Sequence, residues 1–207
     1  MTTYHQRVAQ QKRGLIVQAA TQLFLELGYD RASLARIAEE AGVSKATLFK
    51  QFPTKAALFD AIVIDSWADS DDSEVPSVGD LSAGLTTLGQ RYAALLGRPG
   101  MADLFRIVIA ELPRFPELAK THFAEGKLPY FEKVQTYLVA EHDAGTADIT
   151  DPQMAATQFL GMISNYLFWP RLVVPGWAVT PEQVVTVVDD AVRTMVARYD
   201  HHGKPVA

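Results

Sequence analysis

From Gln11 onward the apolar positions recur at helical spacing. Leu15, Ala19, Leu23 and Leu27 form one i, i+4 row, and Ile16, Ala20 and Phe24 form a second beside it. These rows predict a helix over 11–27, closed by Gly28. A shorter pattern follows, with Leu34, Ile37, Ala38 and Ala41 at i, i+3, i+4 and i+7. Gly42 then makes a sharp turn, Val43 plugs its corner, and Ser44 is the N-cap of a third helix that buries Leu48 and Phe52 and stops at Pro53. Thr54 caps a fourth helix, which carries Leu58, Phe59, Ile62 and Val63 toward Trp67. Residues 68–80 are acidic and periodless, as expected of a loop between domains. Beyond them the pattern predicts helices over 81–96, 101–112, 116–142 (kinked at Gly126 or Pro129), 152–169 and 181–199. The last two open on Asp151-Pro152 and Thr180-Pro181, each an N-cap with proline at the first helical position, and Gln183 completes a capping box with Thr180. Leu172 to Val179 alternates as a strand would, but Pro175 and Gly176 make it a loop. The chain therefore reads as all-α, with about nine helices and no internal repeats. One domain spans 1–55, continuing through the linking helix to about 68, and a second spans 80–200.

The two short helices joined at Gly42 have the form of a helix-turn-helix, which lays its second helix in the DNA major groove. At about 100° per residue, Ala46 and Lys50 lie nearly opposite Leu48, with Thr47 and Phe49 beside them. That face is small, hydroxylic, aromatic and cationic, and it carries no carboxylate to repel phosphate. An ordinary helical hairpin with a solvated lysine face is the alternative, because short matches of this kind arise by accident. Charge is unevenly divided in a way that suits DNA. The net charge is −5, yet residues 1–55 hold eight Lys/Arg against four Asp/Glu, and the remainder eleven against twenty. A basic end can meet phosphate while an acidic body discourages nonspecific adhesion. His5, Arg7, Lys12 and Arg13 are candidates for a basic arm, or for a frayed, solvated terminus.

Over residues 11–65 the chain resembles the N-terminal domain of the TetR/AcrR family of transcriptional regulators. Ile16, Ala19, Ala20, Leu23, Phe24, Gly28 and Tyr29 carry the resemblance in the first helix and its turn. Ser33, Ile37, Ala38, Ala41, Gly42, Val43, Ser44, Thr47, Leu48, Phe49 and Phe52 carry it through the motif, and Lys55, Leu58 and Phe59 extend it. The resemblance, together with the outward face, assigns DNA contact to Ser33, Ser44, Lys45, Ala46, Thr47, Phe49, Lys50, Gln51 and Lys55. Lys50 would reach a base or an adjacent phosphate, and Thr47 and Lys55 would clamp phosphates. The family usually has tyrosine where this chain has Phe49, and often histidine where it has Gln51. Loss of the phenol removes a phosphate hydrogen bond and keeps the ring.

The second domain is similar to that of the AefR-like regulators, in Arg-Ile-Val-Ile-Ala-Glu-Leu-Pro-Arg-Phe-Pro-Glu-Leu at 106–118 and Asp-Pro-Gln-Met-Ala-Ala-Thr-Gln-Phe-Leu-Gly-Met at 151–162. The resemblance implies a homodimer formed by the last two helices, with Val184, Val185, Val188, Val192, Met195 and Val196 as the apolar stripe. The aromatic surplus after residue 100 suits a pocket for a small apolar effector. Phe105, Phe123, Tyr130 and Trp169 are the expected walls and Asn165 the anchor, with Arg106 as a second candidate; for any one of them core packing is the competing role.

Other chemistry finds little support. The absence of cysteine excludes disulfides and thiolate sites. Asp71-Asp72 with Glu74 has the look of the metal-binding acidic motif of prenyl-diphosphate enzymes, but it stands in a Ser/Pro-containing loop, and Asp189-Asp190 is a poor partner. Glu141-His142-Asp143 is too compact to place three metal ligands on one helical face, and His201 and His202 stand in a polar tail. No nucleophile elbow, phosphate-cradling loop or Ser/His/Asp set is present. No enzyme, cofactor or metal is expected. The first residues contain no apolar leader, and the longest apolar stretch, Phe159 to Val174, is interrupted by Gly161, Ser164, Asn165, Pro170 and Arg171. The expectation is a cytoplasmic regulator, repressor before activator, released from a palindromic double-stranded operator by its effector. The alternative is a helical ligand-binding or interaction protein that no longer reads DNA.

Overall fold

The structure is a computed structural model, and it describes residues 4–68 and 75–200. Asp71, Asp72 and Glu74, and likewise His201 and His202, lie outside the described residues. Among those described there are eleven α-helices and no strand beyond an isolated bridge, Ala147 to Asp200. They are α1 (Tyr4–Leu27), α2 (Leu34–Glu40), α3 (Lys45–Gln51), α4 (Lys55–Trp67), α5 (Leu81–Gly97), α6 (Met101–Glu111), α7 (Pro116–Thr121), α8 (Leu128–Asp143), α9 (Pro152–Leu167), α10 (Trp169–Val173) and α11 (Pro181–Tyr199). A π-helical turn, His122–Lys127, joins α7 to α8.

The expected caps form. Ser44, Thr54, Asp151 and Thr180 each accept a backbone N–H with the side chain, and Thr180 with Gln183 makes the full capping box; Ser33 and Asp80, not singled out as caps by the sequence, do the same for α2 and α5. Three differences from the periodicity have local causes. Helix α1 begins at Tyr4, well before the apolar rows, because Gln, Arg, Ala and Lys propagate a helix without needing a buried stripe. The basic residues ahead of Gln11 are therefore helical, not an extended arm. The long helix over 116–142 is interrupted by the π turn just ahead of Pro129. Proline has no N–H to give and its ring crowds the carbonyl four residues back, and a wider turn relieves that conflict. Pro170 likewise ends α9 early and starts the short α10.

The described residues form two compact units. One contains the chain up to Ala68 together with Asp103–Gly126; the other contains the residues from 75 to Ala102 and from Lys127 onward. Residues 103–126 thus pack with the helix-turn-helix, although periodicity groups them with the second domain. In the first unit Ile16, Phe24, Ile37, Leu48, Leu58 and Phe59 are fully buried. In the second, α5, α8, α9 and α11 surround Leu85, Leu88, Val134, Phe159 and Ile163. Gly89 lets α11 close on α5: a β-carbon there would lie 2.8 Å from Val188 Cγ1 and 3.1 Å from Phe159.

That packing corrects the apolar stripe of α11. Val188, Val192 and Met195 are buried inside the chain itself, so they belong to its own core. Val185 is exposed, and Val184 and Val196 are half-buried. Of the six, Val185 alone is exposed.

Candidate nucleic-acid interface

Helix α3 is fixed from both ends. At its start Ser44 Oγ accepts the Thr47 amide at 3.1 Å and lies 2.8 Å from the Thr47 hydroxyl. Gly42 takes φ +63, a left-handed conformation that glycine adopts freely, and so turns the chain from α2 into α3. At its end Phe52 is buried, with the Arg13 guanidinium 5.1 Å over its ring. Arg13 also grips both carboxylate oxygens of Asp65, at 3.1 and 3.2 Å, and so ties α1 to α4.

With Leu48 at 0% exposure, the geometry of a helix decides the rest. Lys45, Ala46, Phe49 and Lys50 are exposed, and Thr47 is half-buried at the edge. Phe49 keeps 48% of its surface, a large apolar group held in solvent on a helix with no acidic residue. Gln51 turns inward and donates to Ala9 O at 3.4 Å. A groove of about 500 Å³ runs between α1 and α3, lined by Val8, Gln10, Lys12, Thr47, Lys50 and Gln51. Lys12 therefore lines the same groove as Lys50, and the unheralded first turns of α1 add Val8 and Gln10 to it. On α2, Ser33 caps by accepting from Arg36 N at 3.2 Å; a shallow hollow there holds Arg36 and Lys45 next to Glu39 and Glu40.

Lys55 has a different setting from the outward face. Its Nζ donates to Tyr29 O at 2.6 Å and to Asp30 O at 2.8 Å, and it lies 4.7 Å over the Tyr29 ring. Burial lowers its pKa, while the carboxylates of Asp30 and Glu111 work in the opposite direction. The ammonium braces the turn between α1 and α2. Nothing in the local sequence signals this, because the partners are some 26 positions away.

The residues expected around an effector are divided between the two units. In the first unit Phe105 is half-buried, with ring contacts to His122 at 4.3 Å and Trp67 at 6.1 Å, whereas Phe123 is exposed. Arg106 is exposed and pairs with Asp103 at 2.7 Å. In the second unit Tyr130 is buried, donates to Leu88 O at 2.6 Å and stacks on Tyr92 at 5.3 Å. Asn165 and Trp169 are exposed. Asn165 stands two residues from both Ile163 and Leu167, the buried side of α9, and so points away from it, which removes the basis for an inward anchor.

Residues 16–62 match the bacterial regulatory proteins of the tetR family, and residues 83–201 match the C-terminal domain of AefR-like transcriptional repressors. An uncharacterized HTH-type transcriptional regulator of Mycobacterium bovis is 25% identical, over 88% of this chain and 87% of its own. A TetR family transcriptional regulator from Pseudomonas syringae pv. tomato shares the fold with a TM-score of 0.79 at 29% identity, covering 93% of this chain and 98% of that one. The flavonoid-responsive regulator FrrA is 30% identical, with a TM-score of 0.73 over 94% of this chain and 100% of its own. Proteins of this kind are regulators and not enzymes. Among the described residues no group of three or more His, Asp or Glu is placed to hold a metal ion, and no helix is long and apolar enough to cross a membrane.

Proposed function

Because the chain belongs to the TetR family and carries an AefR-like C-terminal domain, we propose that it is a homodimeric repressor which leaves a palindromic operator when a small apolar effector binds. The observation that carries this reading is the surface of α3. The outward positions of α3, Lys45, Ala46, Phe49 and Lys50, include no acid, and the helix is held by its own cap and by Leu48. Alanine and phenylalanine suit a thymine methyl, and a lysine suits guanine O6 and N7. Ser44 accepts the Thr47 amide and can pass its own proton to the Thr47 oxygen. The Thr47 proton is then left for a phosphate. Lys45, at the first turn, meets phosphate where the helix N-terminus already favours it. Gln51 and Lys55, both held by backbone carbonyls, support the reading head from behind.

The dimer uses the outer edges of α9 and α11. Val184, Val185 and Val196 serve there, while Val188, Val192 and Met195 serve the fold. Repression is favoured over activation by the AefR-like repressor match. An apolar, aromatic effector is favoured by the similarity to FrrA, described as flavonoid-responsive, and by rings such as the Tyr92–Tyr130 stack in the matched domain. Release requires that the effector bind the DNA-free arrangement more tightly than the DNA-bound one.

Selection of bound fragments from random DNA tests the DNA reading. The expected result is a palindromic site whose affinity falls steeply with salt, since each neutralised phosphate releases counterions. A thermal-shift screen with flavonoids and other small aromatic compounds then tests the effector. A ligand-binding protein that no longer reads DNA would give hits in the screen and no salt-dependent retention of DNA.

A further inference from the structure

The turn between α1 and α2 decides where the helix-turn-helix begins, and much of its support comes from far along the chain. Glu111, the last residue of α6, is buried and accepts the Tyr29 amide proton on Oε1 at 2.9 Å. Gly28, at φ +82, has no room for a side chain: a β-carbon there would lie 2.7 Å from that same oxygen. Just beyond α6, Arg114 pairs with Asp30 at 2.7 Å, and the Phe115 ring meets Tyr29 edge-on at 5.1 Å. Lys55 holds the carbonyls of Tyr29 and Asp30 from the other side. Both backbone polar groups of Tyr29 are thus taken by side chains, and four residues later Ser33 caps α2.

Glu111 and Arg114 fall inside the stretch that matches the effector domain, yet they pack with the reading head. The helix that ends at Glu111 starts at Met101, which belongs to the other unit. We propose that Glu111 is a positioning residue for DNA recognition: its carboxylate latches the Gly28–Asp30 turn to the end of α6, and Arg114 guards the rim of the latch. This rests on the DNA-reading role proposed above and states how that role is regulated. Withdrawing the carboxylate unpairs the Tyr29 amide and frees the entrance to α2, so α2 and α3 lose their fixed place within the head without the head losing its fold. The chemistry of the α3 surface is untouched, and only its placement is released.

The test uses the full-length dimer, the operator selected from random DNA, and operator versions with one or two base pairs inserted between the half-sites. Glu111→Gln keeps an oxygen for the Tyr29 amide and should bind as the wild type does. Glu111→Ala should remain helical and bind random DNA normally, while operator affinity falls about tenfold, the scale of one lost buried hydrogen bond. The penalty for wrong spacing should shrink at the same time. Arg114→Ala, a change at an exposed pair, should move spacing discrimination in the same direction by a smaller factor, and it covers the case in which Glu111→Ala does not fold. Wild-type spacing discrimination in both alanine variants would overturn the proposal. So would equal losses on operator and random DNA, which would mark a purely structural role. If the wild type selects no operator, the DNA reading itself fails. Hydrogen exchange at the Tyr29 amide then decides the latch: slow in the wild type and in Glu111→Gln and fast in Glu111→Ala supports it, and equal rates overturn it.

Discussion

Replacing Gly84 by alanine adds a single methyl group, and it should cost this protein about 2–4 kcal/mol. In the middle of a helix the exchange ordinarily stabilises, by about 1 kcal/mol, because glycine loses more backbone freedom on folding. Here the space is taken. A β-carbon on Gly84 would overlap the Oη and Cζ of Tyr137 and lie 2.8 Å from Cε2. Tyr137 is fully buried, with its hydroxyl between Asp80 O at 3.0 Å and the Glu141 carboxylate at 2.5 Å. Glu141 is itself fully buried and also accepts from Thr146 and the Gly79 amide. Overpacking costs about 1–3 kcal/mol. Pulling the phenol from a buried carboxylate costs about another 1–3 kcal/mol, and together these exceed the helical gain. Gly14→Ala is the control, since its β-carbon would meet nothing within 4 Å on the exposed side of α1. It should stabilise by about 0.5–1 kcal/mol. Urea unfolding of both variants at one protein concentration, which fixes the contribution of dimerisation, makes the comparison. If Gly84→Ala were as stable as Gly14→Ala, the close approach of α5 and α8 would be wrong.

Val188→Asp should unfold the chain, because it places an unpaired charge in the chain's own core at several kcal/mol; Val185→Asp should leave a folded chain that sediments as a monomer, and an intact dimer would move the interface off this edge of α11. Lys55→Met should lower the melting temperature by unpairing the Tyr29 and Asp30 carbonyls, while the slope of DNA affinity against salt stays within one unit of the wild type; a full unit lost with unchanged stability would return Lys55 to phosphate contact. Burial pushes the phenols of Tyr29 and Tyr92 from 10.0 up to about 12, with Glu117 and Asp60 adding to the shift at Tyr29. Below pH 10 both are neutral whether folded or not, and between pH 10 and 12 only the unfolded chain releases those protons. Stability therefore falls with rising pH across that window, by up to about 2–3 kcal/mol for Tyr92 and by less for Tyr29, where solvent screens part of the effect. Tyr92→Phe should make the fall shallower, and an unchanged slope of the urea midpoint between pH 9.5 and 11.5 would refute this.

The helix-turn-helix was legible because its determinants are local. The Leu34–Ala41 stripe, the Gly42 turn, the Ser44 cap and the Leu48/Phe52 pair all act within a few residues of one another, and together they turn Lys45, Phe49 and Lys50 outward. The caps at Asp151 and Thr180 were readable for the same reason. What periodicity could not supply is the identity of the partner. The valines of α11 announce an apolar face, but whether that face meets its own chain or a second copy depends on α5 and α9, and on Gly89 allowing close approach. Lys55 carries a charge that looks available, and the carbonyls that hold it belong to a turn formed by another helix. Asn165 stands within an apolar segment yet on its outer side, a distinction of two residues that needs the buried register of α9. Glu111 gave no signal, since a carboxylate at the end of an amphipathic helix is ordinarily solvated. The π turn, too, needs the conflict between Pro129 and the preceding turn to be resolved in three dimensions.

The central claim is that the acid-free face of α3 reads DNA, and Lys50 is its most direct probe. Affinity of the wild type and of Lys50→Ala should be measured on the selected operator and on random DNA, from about 50 to 200 mM salt, the range over which phosphate contacts separate. The account predicts steep salt dependence for the wild type and a loss on the operator of on the order of 1–3 kcal/mol in Lys50→Ala, larger than its loss on random DNA. Equal affinities of the two proteins for both DNAs at every salt concentration would contradict it.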